Sequence, residues 1–471
     1  MLLNQIVTKI SCAIKAEPTP SQVELFKNLA AFILEQNKNE ILIVKGYAGT
    51  GKTTSLSAFV KVLKEFGHKV SLLAPTGRAA KVFSLYSGEK AFTIHKKIYR
   101  QVSSKDGFGK FVLNKNMASN TIFIVDEASM ISNQKIENNL FGSGYLLDDL
   151  LEFVYNGKNC KLILVGDVAQ LPPVGLLLSP ALDSGAVSQI IHTSNEVELT
   201  HIVRQAELSG ILHNATLLRR HIHDKDFRMP LLDCTGFGDI LSVSGSEIID
   251  LITASYSGAG IDESLVICRS NKRANRYNQG IRNQILCREE ELSAGDLLMV
   301  VKNNYFCLNG YPDVDFVANG DIVEVKKVHA YKELYGFRFA RCSVFLIDYN
   351  TEIDTWLLLN ALHSESAALS ADENKMLFYS ILEDYSSLKP RKKQFDAVKE
   401  NEFFNALQVK YAYAVTCHKA QGGQWKSVFV DAGYITPEMI DAEYLRWLYT
   451  AITRATEKVY LVNFPEGFVS Q

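Results

Sequence analysis

The chain has 471 residues, which is too long for one ordinary hydrophobic core, so roughly three structural units are expected. Hydrophobic residues make up 47% and charged residues 22%, which excludes a disordered or fibrous chain, and no apolar run is long enough to span a bilayer. The 50 basic and 52 acidic residues neither indicate nor exclude a nucleic-acid partner, because charges of one sign can still gather on one surface.

The N-terminal segment contains Lys9 and lacks the long apolar core of a secretory signal. The eight cysteines are scattered singly, without the CxxC spacing of a zinc site. We therefore expect reduced thiols in a cytoplasmic protein.

The first part of the chain contains short apolar, β-branched runs that predict buried parallel strands. They lie at 41–45, 70–74, 121–125 and 161–166. Helix-prone stretches such as Thr53–Phe66 separate them. Alternation of strand and helix predicts a doubly wound α/β sheet.

A second α/β set follows, with predicted strands at 264–268, 427–431 and 458–463. Residues 291–349 interrupt it with alternating polar and apolar positions around turn signals, which predicts a small inserted antiparallel barrel. Residues 352–404 are charged and helix-prone, which predicts a helical arm packed on the barrel. Its basic run, Lys-Pro-Arg-Lys-Lys, is more typical of a solvated face than of a DNA contact.

The strongest motif is Gly-Tyr-Ala-Gly-Thr-Gly-Lys-Thr at 46–53, set after a predicted strand and opening a helix. This pattern is a phosphate-binding loop, in which glycines let backbone N–H groups surround the phosphates. Lys52 is expected to reach the β- and γ-phosphates and Thr53 to bind Mg²⁺. The predicted ATP-binding residues of the loop are Gly46, Ala48, Gly49, Thr50, Gly51, Lys52, Thr53 and Thr54.

Two further predicted strands deliver polar side chains to the same edge of the sheet, where ligands bind. Asp126 is placed to hold Mg²⁺, and Glu127 to orient and deprotonate the attacking water. Such a pair alone is more often a helix cap, but the upstream phosphate loop favours the catalytic interpretation. Gln170 is either a sensor of the γ-phosphate or a surface loop residue beside two prolines.

Taken in order, these and further motifs resemble the superfamily 1 helicases of the RecD and Dda type, a group of 5′-to-3′ DNA motors. The resemblance rests on PTPSQ at 18–22, GYAGTGKTT at 46–54, LLAPTGRAA at 72–80, AFTIHKKI at 91–98, VDEAS at 125–129, VGDVAQLPPVG at 165–175, ELTHIVRQ at 198–205, YAVTCHKAQG at 413–422 and LYTAITRATEKVYLV at 448–462. NGDIVEV at 319–325 is similar to the SH3-like insert of that family. Tyr47 departs from the usual pattern, which has a smaller residue or proline there.

The resemblance implies roles for residues that no pattern assigns alone. Gln22 would read the adenine, and Arg204 and Arg454 would reach the γ-phosphate from the second domain as arginine fingers. The nucleic acid would contact Thr76 and His95 in the first domain and Thr416 and His418 in the second. Either histidine could instead be a buried or capping residue.

A hairpin called the pin is expected at 99–119. Its aromatic Phe108 would stack on the last base pair of a fork and separate it. The alternative is a surface hairpin without that role, and the unwinding rate of a Phe108 variant distinguishes the two.

The resemblance also implies a domain plan. Residues 1–190 would form the first RecA-like domain, 191–290 with 405–471 the second, and 291–404 the SH3-like barrel with its arm. We expect an ATP-dependent helicase that uses ATP and Mg²⁺, binds single-stranded and forked DNA, acts as a monomer, and meets replication or recombination proteins. The alternatives are a translocase that does not unwind and a nucleotide-gated remodelling ATPase. Two arginine fingers in one chain count against the remodelling ATPase, which would borrow its finger from a neighbour.

Overall fold

The computed structural model of the protein describes residues 2–14, 16–35, 40–102, 110–135, 141–191, 193–203, 209–304 and 317–470. In these ranges the chain forms two parallel sheets and one closed barrel, as the α/β interpretation with an inserted barrel predicted. No helix in the described ranges is both long enough and apolar enough to cross a membrane.

The first sheet has six parallel strands in the order β3-β2-β6-β7-β1-β8. The elements of this part are α1 (Leu2–Ala13), α2 (Pro20–Leu34), β1 (Glu40–Gly46), α3 (Lys52–Glu65), β2 (Lys69–Ala74), α4 (Gly77–Ser87), β3 (Ala91–Thr93), α5 (Ile94–Ile98), β4 (Tyr99–Val102), β5 (Lys110–Leu113), β6 (Thr121–Val125), α6 (Leu146–Tyr155), β7 (Lys161–Gly166), α7 (Ser184–Ile190) and β8 (Thr193–Leu199). Strands β6 and β7 are buried along their whole length, because apolar clusters cover both faces of the sheet. Strands β4 and β5 form a separate antiparallel hairpin.

Strand β8 lies beyond the boundary predicted at 190/191, yet it pairs with β1 along the edge of the first sheet. Its sequence is mostly polar because an edge strand is covered less than a central one, and Asn195, Glu196 and Glu198 are exposed. The first sheet therefore extends to Leu199, and the predicted boundary was too early.

The second sheet begins after residue 209. Its first elements are α8 (Gly210–His223), β9 (Leu232–Asp233), β10 (Ile240–Val243), α9 (Ile248–Gly258), β11 (Ser264–Cys268) and α10 (Asn271–Gly280), which a π-helical turn extends to Ile285. The barrel then interrupts the sheet.

The barrel closes through five strands: β12 (Leu297–Val300), β13 (Ile322–Leu334), β14 (Phe337–Leu346), β15 (Thr351–Leu358) and β16 (Leu407–Tyr411). The barrel predicted at 291–349 lacks the last two strands. The domain plan also assigned residues 405–471 to the second RecA-like domain, which wrongly placed β16 in the second sheet. Between β15 and β16 lie α11 (Ala371–Asp384) and α12 (Arg391–Glu400), which pack on the barrel through an apolar cluster containing Trp356, Phe378 and Phe403.

The chain then completes the second sheet with β17 (Ala414–Thr416), α13 (Cys417–Ala420), β18 (Trp425–Asp431), α14 (Ala442–Ile452), β19 (Ala455–Val462) and β20 (Val469–Ser470). The strand order is β10-β19-β18-β11-β17, and all neighbours are parallel. Strands β9 and β20 form a small separate pair.

Residues 317–321, which we call the barrel loop, contact both sheet domains. A Cβ added to Gly77, the first residue of α4, would lie 2.5 Å from Oδ1 of Asp321, so only glycine fits against the barrel there. On the other side, Lys419 of α13 donates to Oδ1 of Asn319 at 2.7 Å. One loop thus joins the barrel to the first domain and to the second.

Candidate functional site: a phosphate-binding cleft between two sheets

The phosphate loop, the acidic pair and Gln170 follow the adjacent strands β1, β6 and β7. Because the carboxyl ends of parallel strands meet at one edge, these side chains collect at one end of the first sheet. In the loop, Gly49 and Gly51 both have φ of 76°, a conformation that favours glycine. Lys52 opens α3 and donates to the carbonyls of Gly46 and Tyr47 at 2.6 and 2.9 Å, so its ammonium lies over the loop.

Gln22, the predicted adenine reader, is buried under the loop. Its Nε2 donates to the carbonyl of Thr50 at 3.2 Å, and its Oε1 accepts from the backbone of Thr19 at 2.9 Å. A Cβ on Gly51 would lie 2.4 Å from Nε2, so the amide packs directly against the loop backbone. The structure therefore shows Gln22 supporting the loop, and adenine recognition stays a prediction.

The acidic pair follows β6 in the order that the sequence predicted. Burial, and then the neighbouring charge of Glu127, raise the pKa of Asp126 above its usual range. Glu127 has φ of 54° and ψ of 37°, the left-handed conformation that side chains other than glycine seldom adopt. Such strained residues are concentrated at functional sites, which fits a carboxylate held in one direction.

Gln170 belongs to residues 167–171, which we call the sensor loop. It is 5% exposed, and its Oε1 has no hydrogen-bond partner among the residues described. Leaving a buried amide oxygen unpaired costs about 1–3 kcal/mol, so a donor from a ligand or its water would be stabilising here. This position supports the γ-phosphate alternative over a surface loop residue.

Helix α14 of the second sheet holds the sensor loop across the cleft. Thr450 Oγ1 accepts from the backbone N–H of Leu171 at 2.8 Å, and Arg446 donates to the carbonyls of Val168 and Gln170. From α13's end, Gln421 donates to the carbonyl of Leu171 at 2.7 Å. The position of Gln170 therefore depends on the second domain.

Arg454, which follows α14, faces the catalytic edge of the first sheet. It is 4% exposed, and its Nη1 lies 3.9 Å from Oε1 of Glu127. Its Nε also donates to the carbonyl of Thr450 at 3.2 Å, which fixes the guanidinium. An arginine finger must point its guanidinium across the cleft toward the phosphate site, and Arg454 has this orientation. Arg204, the other predicted finger, lies outside the described residues.

Tyr449 connects the second domain directly to the phosphate loop. Its hydroxyl accepts from the backbone N–H of Ala48 at 2.8 Å and donates to Oδ2 of Asp167 at 2.7 Å. That carboxylate oxygen also lies 3.7 Å from Nζ of Lys52. Burial, and then Asp167, raise the pKa of Tyr449 well above its usual value, so it stays a neutral donor.

Replacing Tyr449 with phenylalanine should increase the affinity for ATP in the absence of DNA by about fivefold. The Ala48 N–H can bond either the tyrosine or a phosphate oxygen, so removing the hydroxyl removes a competitor worth about 1 kcal/mol. Titration with a fluorescent ATP analogue measures this. Tyr444→Phe is the control, because that hydroxyl lies on the same helix, is buried, and has no partner among the described side chains. An unchanged or weaker affinity in Tyr449→Phe would rule out the competition.

The predicted nucleic-acid residues fall into two groups. Thr76 is the N-cap of α4 and lies close to Gly422, where an added Cβ would be 3.1 Å from Thr76 Oγ1. Thr416 and His418 are nearby in sequence, at the start of α13, and Thr416 makes no capping bond there. The structure thus places Thr76 of the first domain beside Gly422, in the same second-domain motif as Thr416 and His418.

His95 lies among aromatic side chains of the first domain. Its ring lies 5.0 Å from that of Phe141 and 5.7 Å from that of Tyr99, and burial lowers its pKa to about 4. The half-buried ring packs against these aromatic side chains, and a nucleic-acid contact of His95 stays a prediction. Phe108 lies outside the described residues.

Mg²⁺ fits the donor set at this edge of the sheet. Thr53 and Asp126 supply hard oxygen ligands, and Mg²⁺ commonly takes only one or two protein oxygens together with substrate phosphates and water. The described ranges contain no cluster of three or more histidine, cysteine or carboxylate side chains that could hold a metal ion.

Sequence reasoning missed Arg446, Tyr449 and Thr450. All lie in or beside the LYTAITR motif, and their spacing of three and four residues puts them on one helical face. That spacing could have indicated that the three side chains share one face of α14. Their hydrogen-bond partners in the first domain depend on how the two domains dock, which the sequence does not show.

Two family patterns match the chain. The pattern described as an AAA domain covers residues 19–229, and the pattern of a UvrD-like helicase C-terminal domain covers residues 411–462. The first match contains the phosphate loop, the acidic pair and the sensor loop. The second contains α13, α14 and Arg454.

Named proteins are similar over nearly the whole chain. The ATP-dependent RecD2 DNA helicase of Deinococcus radiodurans is 24% identical over 94% of the chain, which spans 50% of that protein. The ATP-dependent DNA helicase dda of Enterobacteria phage T4 is 23% identical over 92% of the chain and 97% of its own length. The solved structure of Bacteroides Pif1 helicase with ADP-AlF3 and ssDNA aligns over 97% of this chain and 95% of its own, at 17% identity and a TM-score of 0.47.

The two domain matches thus cover both walls of the cleft, and sequence similarity extends through the barrel between them. The chain is therefore similar to superfamily 1 helicases of the RecD and Dda type along nearly its whole length.

Proposed function

We propose that the protein is an ATP-driven motor that moves along single-stranded DNA, in the 5′-to-3′ direction, and unwinds duplex DNA. The observation that carries this proposal is the crossing of the cleft by α14 and Arg454, which contact the phosphate loop, the sensor loop and Glu127. The RecD2 and Dda relatives are named ATP-dependent DNA helicases. The direction rests on the family resemblance alone.

In this proposal each group has one task in hydrolysis. Lys52 and the loop N–H groups bind the β- and γ-phosphates, and Thr53 and Asp126 hold Mg²⁺, which neutralises phosphate charge when bound. Glu127 accepts the proton of the attacking water, and Gln170 positions that water or the γ-phosphate. Arg454, with Arg204, stabilises the charge that develops on the transferring phosphoryl group.

The same contacts explain how hydrolysis would become movement. Contacts made through the γ-phosphate favour the closed cleft, and their loss after hydrolysis favours the open one. Thr76 lies on the first domain, and Thr416 and His418 lie on the second. Closure of the cleft would therefore change the distance between the two sets of residues that contact the strand. Because the arginine finger comes from the same chain, a monomer would be sufficient for ATP hydrolysis.

Unwinding of two partial duplexes that carry opposite single-stranded overhangs tests activity and direction together. We expect displacement from the substrate with a 5′ overhang, and a low ATPase rate that rises strongly with single-stranded DNA. Full ATPase activity without nucleic acid would contradict a motor. Stimulated hydrolysis without strand displacement would favour the alternative, a translocase that does not unwind.

A further inference from the structure

Two lysines face a narrow cleft between the barrel and the second sheet. Lys410 lies on β16 of the barrel, and Lys419 lies on α13. Thr416, at the end of β17, lines the same cleft. Neither lysine is among the residues for which the family resemblance implies a role.

Both ammonium groups are held by neutral acceptors. Lys410 donates to the carbonyl of Ser364, and Lys419 donates to Oδ1 of Asn319 at 2.7 Å. Among the described residues, no carboxylate raises the pKa of either lysine. An ammonium group has three donors, so each lysine has donors left for an anion.

Burial disfavours the charged forms of Lys410 and Lys419 when no counter-ion is bound beside them. Burial, and then the charge of Lys419, lower the pKa of Lys410 to about 8, and burial also lowers the pKa of Lys419. One anion shared by the two ammonium groups would stabilise the charged form of both lysines.

Helix α10 adds to the positive potential of the cleft. Asn271, its first residue, and Asn275 line the cleft, and Ser270 is its N-cap. The N-terminus of a helix carries partial positive charge, which favours an anion beside it. The barrel, α13 and α10 thus surround one cleft with positive charge.

We propose that Lys410 and Lys419 form a phosphate-binding site for the backbone of single-stranded DNA, on the barrel side of the strand path. This inference rests on the proposed function. A strand suits the site better than an isolated phosphate, because Thr416 lines the same cleft and Gly422 places Thr76 beside the following residues of this segment. The barrel then holds the strand as well as packing on the domains.

Salt-dependent binding of a labelled oligothymidylate to the full chain tests the site. Each phosphate contact on a single strand contributes about 0.7 to the slope of log affinity against log salt. We expect Lys410→Gln to reduce the slope by about 0.7 and to weaken binding about fivefold at 0.1 M salt. Lys419→Gln should do the same, and Lys410→Arg should restore the parent slope.

Lys392→Gln is the matched control, because it removes an equal charge from the exposed basic run in α12 and should leave the slope unchanged. ATP hydrolysis without DNA reports that each variant is folded. The inference is overturned if Lys410→Gln and Lys419→Gln both keep the salt-dependence slope of the parent protein. It is also overturned if Lys392→Gln lowers that slope by the same amount. A parent protein that does not bind the strand contradicts the proposed function instead.

Discussion

Replacing Arg454 with alanine should lower the maximal rate of ATP hydrolysis by about three to five orders of magnitude, the range that an arginine finger contributes. The guanidinium lies 3.9 Å from Glu127 and across the cleft from the phosphate loop, so its charge is available where phosphoryl charge develops. Because the loop itself is unchanged, affinity for ATP should fall far less. Steady-state hydrolysis with saturating single-stranded DNA and titration with an ATP analogue measure the two effects.

Arg228→Ala is the control for Arg454→Ala, because the Arg228 side chain is 86% exposed and pairs with the neighbouring Asp226, away from the cleft residues named above. Since Arg454 is buried and bonds Thr450 and Gly423, thermal unfolding should accompany the assay. A folded Arg454→Ala protein that hydrolyses ATP within tenfold of the parent rate would show that the finger lies elsewhere.

Replacing Lys52 with alanine should reduce kcat/KM for ATP by about a thousandfold or more, because it removes the positive group that we propose binds the phosphates. Its ammonium lies within 3 Å of two loop carbonyls, at 2.6 and 2.9 Å, and this position needs the full lysine stem. The assay is hydrolysis with saturating single-stranded DNA.

Lys61→Ala is matched to it, because Lys61 is an exposed lysine on the same helix α3 and its loss should leave hydrolysis unchanged. Normal turnover by Lys52→Ala would contradict the phosphate-loop assignment.

Central strands and the residues that follow them were predictable from the sequence. The predicted strands at 121–125 and 161–166 match β6 and β7 at both ends, because strands buried on both faces are continuous apolar runs. Asp126 and Gln170 therefore lie at the predicted edge of the sheet. Burial on both faces makes this kind of strand easy to recognise.

Strands with mixed composition were harder to place. Strand β8 is polar at its exposed edge, and β16 lies some distance along the chain from β15, its parallel neighbour. No local pattern tells which sheet such a strand joins, since pairing depends on contacts distant in sequence. The contacts of Tyr449 and Arg446 across the cleft were hidden for the same reason.

The barrel loop restricts how the two sheets can move. Asp321 packs against Gly77 of the first domain, and Asn319 bonds Lys419 of the second, so the loop is attached to both. A straight separation of the domains would have to break one attachment. A rotation about the barrel loop keeps both attachments, with small displacements near the loop and larger ones farther from it, so the barrel loop would serve as the pivot between the two sheets.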